Sequence, residues 1–505
     1  MTATESRLAA PGHVGVVPLE RQSSGTVRAA MLTARLGMLL GALSLVAWTT
    51  ADPDLWGHVR FGLDILRDHE LPARDPYSFT SDRPWVNHEW LAEVIIAAAY
   101  ALDGPRGLLI LKLLVVCATL ALVILVFRHR RWDPAVHDLL IATAIFGILG
   151  RIHSVRPQLF SVLLAAALLL ILCLVDRGRR ALLVLVPPLM ALWANLHGGF
   201  LVGLGIIGIW TAVRFVAHEP DAPARPHIVA LAVGSAAATL ANPYGPQLWS
   251  FLWDTVGLSR VEIADWQPLW ATGFFGITQW GLVTAVAILA MTRHRVDIAY
   301  AAIAAVLCLA TLKISRLDAF YTLAVIMMLG PHFGRTAAAG HTAVRAPTLA
   351  LLAISGAVAL ATVPLAQRSS CIEIRVGPEP EATRFAQRQQ GRMVTFFDWG
   401  QYGIWHLAPA IQVSMDGRRE TVYSDAVLRS HRRIYANTPD AIDLVESMKA
   451  DWIWLPHDWP VVSRLQSAGW HLAFRGPTSA ILSRQPVSAV ETAETAASPR
   501  CFPQY

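Results

Sequence analysis

Residues 51–93 read ADPDLWGHVRFGLDILRDHELPARDPYSFTSDRPWVNHEWLAE. They follow directly on an apolar run, residues 29–50, long enough to cross a bilayer. The stretch gathers Asp52, Asp54, His58, Asp64, Asp68, Asp75, Asp82, His88, Glu89 and Glu93. Carboxylates and imidazoles at a membrane surface cost free energy unless they are solvated, paired or used. A generic loop carries Ser, Gly and Lys instead. These acids sit beside Trp56, Trp85 and Trp90.

Composition extends this to the whole chain. Of 505 residues, 54% are hydrophobic and 15% charged, where soluble proteins carry roughly a quarter charged. Mean hydropathy is +0.44. Repeated apolar runs broken by short polar clusters describe a polytopic helical membrane protein. The formal charge of +6 does not imply nucleic acid, because arginine clusters such as 128–131 and 176–180 flank apolar runs and read as topology signals. Residues 1–28 read as a disordered cytoplasmic tail without a cleavable signal pattern.

The apolar runs fall at 29–50, 105–127, 135–150, 158–176, 181–196, 199–217, 227–241, 277–292, 296–312, 317–331 and 347–366. A further run, Trp90 to Leu102, is short of the roughly 20 residues a span needs. Laid along the interface, it leaves Arg128, Arg130, Arg131, Arg177, Arg179, Arg180, Arg225, Arg293, Arg295, Arg335 and Arg345 on the cytoplasmic side. Laid across the bilayer, it puts the clusters at 128–131 and 176–180 outside, against the positive-inside bias. The expectation is therefore about eleven spans (roughly 10–13), N-terminus inside and C-terminus outside. The transmembrane domain covers 29–366, with its external loop at 51–104.

That topology collects a chemically mixed set on the external face: the 51–93 loop, Arg151 to Pro157, NLHGG at 195–199, NPYG at 242–245, Glu262, Asp265, and Lys313 to Asp318. Within the loop, Leu55, Val59, Leu63 and Leu66 recur at helical spacing opposite His58, Arg60 and Asp64. This predicts an amphipathic helix lying on the membrane. Pro72, Pro76 and Pro84 break helix before the second short apolar segment.

From about Gln367 the pattern changes. Met393–Phe397, Ile411–Met415, Trp452–Leu455 and Ala480–Leu482 read as strands, and Ala441–Met448 and Val461–Ala468 as helices. Residues 367–484 are thus a soluble extracytoplasmic α/β domain, and 485–505, rich in Ala, Ser, Thr and Glu, a disordered tail. Cys117, Cys173 and Cys308 lie within apolar runs. Cys371 and Cys501 flank the polar region, and the sequence leaves their pairing open.

An acidic loop after the first span, juxtamembrane helices, many spans and a C-terminal external domain resemble the GT-C superfamily of membrane glycosyltransferases, enzymes that use polyprenyl-phosphate-linked sugars. The resemblance is carried by Asp52-Pro53-Asp54 with His58 and Arg60 behind it. A bacterial GT-C-like group shows a similar order of segments: DPDLW with a following His, DP-x-SFT, W-x-x-HEWL, NLHGG, NPYG and D-x-G-x-Y. Here these are 52–58, 75–80, 85–91, 195–199, 242–245 and 398–402. There is a more distant similarity to protein mannosyltransferases and to the catalytic subunit of oligosaccharyltransferase, whose WWDYG motif is comparable to residues 397–402. The paired tryptophans are absent, so peptide recognition is not carried over.

The resemblance implies a bacterial inner-membrane glycosyltransferase with a polyprenyl-phosphate sugar donor and a glycan, lipid or protein acceptor at the outer face. Its partners are these and the bilayer, with no nucleic acid. Transfer needs a carboxylate base for the acceptor hydroxyl and cations near the departing phosphate. Asp52, Asp54 and Glu89 are the catalytic candidates. His58, His88, Trp56, Trp85, Arg151, Arg156, Asn195, His197, Asn242, Lys313, Arg316 and Asp398 are the substrate-binding ones. No cofactor is required by the sequence. Some members of the superfamily need a divalent cation (Mg or Mn) and others do not; Asp54, His88 and Glu89 are the ligand candidates, without a recognisable metal spacing.

Plainer roles stand beside these. Asp54 suits an N-cap, Glu89 a pair with Arg83 or His88, Arg316 a pair with Asp318, and Arg151 and Arg156 contact with lipid headgroups. Two other functions share the composition. A transporter or flippase places polar groups at the midplane and tends to show internal repeats, whereas here charges sit at run ends without a repeat. A catalytically inactive, lipid-binding GT-C-like scaffold carries the same residues.

Overall fold

The computed structural model describes residues 37, 41, 44–128, 132, 134–217, 223–255, 260, 263–334, 371–375, 377–493 and 500–504. The expected tail 1–28 and span 347–366, with most of 29–50, lie outside them, as does Glu262. Where the apolar runs are described, they are helical over most of their length, and the first ends in a short strand at Thr49–Thr50. α1 (Leu55–Asp68) and α2 (Trp90–Phe127) come first, followed by α3 (Pro134–Ile152) and α4 (Gln158–Asp176). A 3-10 turn leads into α5 (Val186–Leu196), then α6 (Phe200–Ala217), α7 (Arg225–Ala238) and α8 (Gln247–Thr255). α9 (Gly273–Arg293), α10 (Ile298–Lys313) and α11 (Asp318–Ala324) complete this region, the last running on through a π turn, Val325–Leu329. Among the described residues, four segments are long and apolar enough to cross a membrane: Trp90–Phe127, Gln158–Asp176, Phe200–Ala217 and Leu269–Arg293. α4 is buried along most of its length, whereas α2 turns Ile110, Leu114 and Ile124 outward, the pattern of a bundle with one helix inside and others facing lipid. The chain is a membrane protein.

α2 is two helices joined by a sharp bend. Asp103 and Gly104 leave helical geometry, Gly104 at φ 52°, and Pro105 opens the next turn. Gly107 then packs against the Ala99 carbonyl, a closeness that eight residues of straight helix forbid. Trp90–Leu102 is therefore a separate helix folded back on 105–127.

The first helix departs from expectation. Residues Leu55 to Gly62 are buried on nearly every side, His58 included, and only the end near Leu66 is exposed. Instead of lying open on a surface, α1 is sandwiched between the Trp90 helix and the C-terminal domain. Gly62 meets the Glu93 backbone, and Gly57 meets Gln401. Spacing of apolar residues shows one buried face but not that a folded domain covers the other.

The C-terminal domain carries a six-stranded mixed sheet, order β4-β3-β5-β7-β6-β8. Its strands are β3 (Gly391–Thr395), β4 (Ile411–Val413), β5 (Trp452–Pro456), β6 (His471–Arg475), β7 (Ser479–Ser483) and β8 (Glu491–Thr492). β3 runs parallel to β4 and β5; β7 is antiparallel to β5 and β6. Around it pack α12 (Pro380–Ala386), α13 (Gly400–Leu407), α14 (Asp425–Tyr435), α15 (Ala441–Ser447) and α16 (Pro460–Ser467). All four expected strands and both expected helices are present.

A second, small sheet joins the two parts of the chain. β1 (Thr49–Thr50) pairs in parallel with β2 (Ile372–Ile374), and β9 (Arg500–Cys501) is antiparallel to β2. Cys371 and Cys501 form a disulfide. Phe502 is buried against Trp56, Tyr100 and Trp405. The tail expected to be loose from 485 is thus folded over 485–493 and 500–504. Its low-complexity composition concealed two short strands, a disulfide and one aromatic anchor.

Candidate active site

β1 delivers the chain to Asp52. The Ala51 amide donates to the Glu373 carbonyl at 2.8 Å, and buried Lys112 donates to Trp48 O, Thr49 Oγ1 and His153 O at 3.0, 2.7 and 3.2 Å. Asp54 then occupies the N-cap position of α1 without capping it. Its amide instead donates to Asp52 Oδ1 at 3.1 Å, and its carboxylate turns to Arg156, whose Nη2 stands 3.3 Å from Oδ2. Arg156 also reaches Asp52 at 3.1 Å and Asp265 at 3.8 Å. Pro157, at the head of α4, fixes this arginine at the helix start.

These groups line one cavity of about 720 Å³ between the bundle end and the C-terminal domain, within the range of small-molecule sites. Asp52, Asp54, His58, Trp85, His88, Glu89, Arg151, Arg156, His197, Arg316 and Asp398 all line it. Groups separated by more than three hundred residues in sequence meet there.

Four expected residues do not reach it. Trp56 is buried against Tyr402 and Phe502. Asn195 accepts from Trp90 Nε1 and donates to the Ala191 and Ala241 carbonyls, joining helices. Asn242 ties its own turn through Thr239, Tyr244 and Gly245. Lys313 is exposed outside the cavity. Amides and lysines at helix ends look alike in sequence whether they serve the turn or the cavity.

The cations divide into neutralised and available ones. Arg151 is spent on carboxylates, 2.6 Å from Asp265 and 2.9 Å from Asp318. Asp318 thus pairs with Arg151 and not with Arg316. Arg316 has no carboxylate within ion-pair distance among the described residues. Its Nη2 lies 3.1 Å from His197 Nε2, and its guanidinium stands 5.8 Å from the Trp266 ring centroid. Burial first, and then the nearby Arg156 charge, bring Arg316 down to about 10, so it stays cationic at neutral pH.

The acids are tuned in opposite directions. Burial, then the adjacent Asp52 charge, push Asp54 up to about 6, with Arg156 opposing. For Glu89, burial works upward, but His88 and further cationic neighbours, Arg316 among them, outweigh it and hold the carboxyl at about 2. Glu89 lies 3.5 Å from His197 and 3.7 Å from His88. Burial drives His197 down to about 3. Its ring is held from both sides, with Ser161 Oγ 2.7 Å and the Gly199 amide 3.0 Å from Nδ1, and Arg316 Nη2 3.1 Å from Nε2.

The expected metal trio Asp54, His88 and Glu89 does not assemble as one set. The group that does, among the described residues, is His58, Glu89 and Glu93, with ligand atoms within 4.8 Å of one another. Glu93 is fixed by His58 Nδ1 at 3.2 Å and by Asn87 Nδ2 at 2.6 Å. One imidazole and two carboxylates suit a divalent cation such as Mg or Mn.

Several cavity residues are not among the site candidates from sequence: Glu93 and Asp265, marked there only as acids of the external face, then Asn87, Trp266, Gln401 and the run Gly417 to Glu420. The last had a signal in DGRRE (416–420), five residues with four charges directly after an apolar strand.

No protein-family profile matches the sequence, and no functionally curated protein matches it. Solved structures do resemble its fold. The apo oligosaccharyltransferase of Archaeoglobus fulgidus superposes with a TM-score of 0.57 at 11% identity, over 90% of this chain and 75% of that one. ArnT from Cupriavidus metallidurans bound to undecaprenyl phosphate gives 0.53 at 11% identity, over 90% and 97%. A mutant of the mycobacterial arabinofuranosyltransferase AftD gives 0.50 at 15% identity, over 91% of this chain and 42% of that much longer one. The fold is GT-C-like.

Proposed function

We propose that this GT-C-like chain is a membrane glycosyltransferase that takes a sugar from a polyprenyl-phosphate donor and passes it to a hydroxyl-bearing glycan, lipid or protein at the outer face of the bacterial inner membrane. One observation carries the proposal: the cavity holds a carboxylate poised near neutrality, Asp54, together with a half-buried guanidinium, Arg316, that has no carboxylate within ion-pair distance among the described residues. The undecaprenyl phosphate bound to ArnT supports a lipid-linked donor.

In this reaction the acceptor oxygen attacks the anomeric carbon of the donor. The bond from that carbon to the phosphate oxygen breaks, and its electron pair leaves on the polyprenyl phosphate, held by Arg316. Asp54 takes the hydroxyl proton; a base with a pKa just below the working pH suits that task. Asp52 positions Asp54 through its amide and through Arg156. Glu89 orients His197, and through it Arg316. A divalent cation at His58, Glu89 and Glu93 would supply further charge for the donor phosphate.

Purified full-length protein in nanodiscs, given a panel of undecaprenyl-phosphate sugars, tests this by mass spectrometry of the lipid. Consumption of one donor by the wild type and not by Asp54→Asn is expected. Donor binding without turnover would assign the chain to the lipid-binding scaffolds instead.

A further inference from the structure

A second cavity, about 120 Å³, opens beside the first, inside the C-terminal domain. Phe397, Asp398 and Arg419 belong to the walls of both. We propose that this smaller cavity is an acceptor subsite that seats one neutral sugar ring, with Asp398 holding the ring's hydroxyls at the passage to Asp54. The proposal rests on the glycosyltransferase reading and specifies its acceptor as a glycan.

Three features of the walls identify the ligand class. Phe396, Phe397 and Tyr435 supply flat apolar surface, which suits the C–H face of a sugar as it suits few other small polar molecules. Tyr435 cannot swing freely, since its hydroxyl donates to Thr395 O at 2.7 Å. Next, the Asp398 carboxylate has no hydrogen-bond or ion-pair partner among the described residues, although it is only partly exposed and lies on the shared wall. A carboxylate is acceptor-only and takes two adjacent hydroxyls at once. Burial, then the Asp52 charge, raise its pKa, which places it in electrical contact with the catalytic acids.

The third feature is Arg419. It is buried, at 3% exposure, and holds a left-handed backbone with φ 44°. A non-glycine residue in that region is uncommon and tends to mark a functional constraint. Its Nε lies 3.2 Å from Glu420, a carboxylate that Arg260 holds more closely at 2.6 Å, and Arg432 lines the same cavity. The Asp398 carboxylate on the wall shared with the first cavity disfavours an anionic group beside it, and the hydroxyls of a neutral ring fit there. The volume admits one ring; an acyl chain or a peptide segment needs a longer groove.

Saturation-transfer NMR on the full-length protein in nanodiscs tests this with methyl glycosides of glucose, mannose, galactose and arabinose as probes, with donor turnover followed in parallel. At least one glycoside should give a signal that Asp398→Ala abolishes and that the shape-preserving Asp398→Asn weakens several-fold, with Asp54→Asn retaining it. No signal from any glycoside, or one indifferent to both Asp398 variants, overturns the subsite. Turnover without glycoside binding would leave the reaction standing and remove the subsite. Glycoside binding lost in Asp398→Ala, with no donor ever consumed, would keep the subsite and remove the reaction.

Discussion

Gly417 of the C-terminal domain lies directly against the Asp54 carboxylate: a Cβ built at 417 would overlap Asp54 Oδ1 and stand 2.9 Å from Gln401 Nε2. The two residues are 363 positions apart, yet the domain places bare backbone on the proposed base. Gly417→Ala is therefore expected to displace Asp54 from Arg156. Overpacking of this kind typically costs about 1–3 kcal/mol. Donor turnover should fall at least ~10-fold, since small misplacements at a reacting centre are severe, while thermal unfolding in detergent drops by only a few degrees. Turnover equal to wild type would mean that the contact between domain and acid does not shape the site.

The raised Asp54 pKa has opposite consequences for activity and stability. Activity needs the ionised form, so turnover should rise with pH about a midpoint near 6. Stability runs the other way. The folded value exceeds the usual 3.8, so ionisation opposes folding: the cost is absent below pH 3.8, grows between 3.8 and 6, and is complete above. At pH 7 it amounts to at most on the order of 3 kcal/mol. Asp54→Asn should thus abolish transfer by roughly 10²–10⁴-fold and unfold at a higher temperature at pH 7.5 than wild type, a difference that shrinks towards pH 4. An equal melting temperature at both pH values would contradict the buried-charge account.

Arg156 and Arg316 should separate in pH profiles. Arg156 lowers the Asp54 pKa, so Arg156→Gln is expected to move the activity midpoint upward from about 6. Arg316→Gln removes the guanidinium that has no ion-paired carboxylate among the described residues, and should raise the KM for lipid donor at least ~10-fold, as loss of a charge-assisted phosphate contact does. Its pH midpoint should stay in place. If Arg316→Gln instead shifts the midpoint and leaves KM alone, Arg316 tunes the acid and does not hold phosphate.

How far sequence reached follows from what each residue had to declare. Asp52, Asp54, Glu89, Arg156, His197 and Arg316 were legible because a charged or imidazole side chain at the end of an apolar run is costly without a purpose. Their convergence on one cavity was not, since it depends on how α4, α5 and α11 pack. Trp56 misled because an interfacial tryptophan and a core one have the same sequence context; only the Tyr402 and Phe502 contacts decide. Asn195 and Asn242 misled likewise, their amides being consumed by nearby carbonyls. The tail failed for a different reason: Cys501 and Phe502 hold it by two contacts that composition averages away.

Metal dependence has its own test. With His58, Glu89 and Glu93 as the ligand set, exhaustive treatment with EDTA should lower turnover at least ~10-fold, with recovery on adding Mg or Mn, because a metal ligand set of carboxylates and imidazole loses its ion to chelators. Glu93→Gln should weaken the recovery. Unchanged turnover in EDTA, with no ion detected by elemental analysis, would reduce the trio to the His58–Glu93 hydrogen bond with Glu89 beside it, and would leave Arg316 as the principal phosphate anchor.

The docking of the domain rests on a buried ion cluster. Arg418 lies 2.7 Å from both Asp75 and Asp416, whose side chains are fully buried. Its guanidinium stands 4.8, 5.3 and 4.7 Å from the Phe61, Tyr77 and Trp85 ring centroids. Asp75 and the rings belong to the first loop and α1, whereas Arg418 and Asp416 belong to the C-terminal domain, so this cluster carries the contact that seats Gly417 on Asp54. Arg418→Met leaves two carboxylates buried without a cation, which typically costs about 3–5 kcal/mol. The melting temperature should fall, and limited proteolysis should open first in residues 69–89. Adding Asp75→Asn to that variant removes one stranded charge and should recover part of the loss. Full stability in Arg418→Met would show that the aromatic packing alone docks the domain.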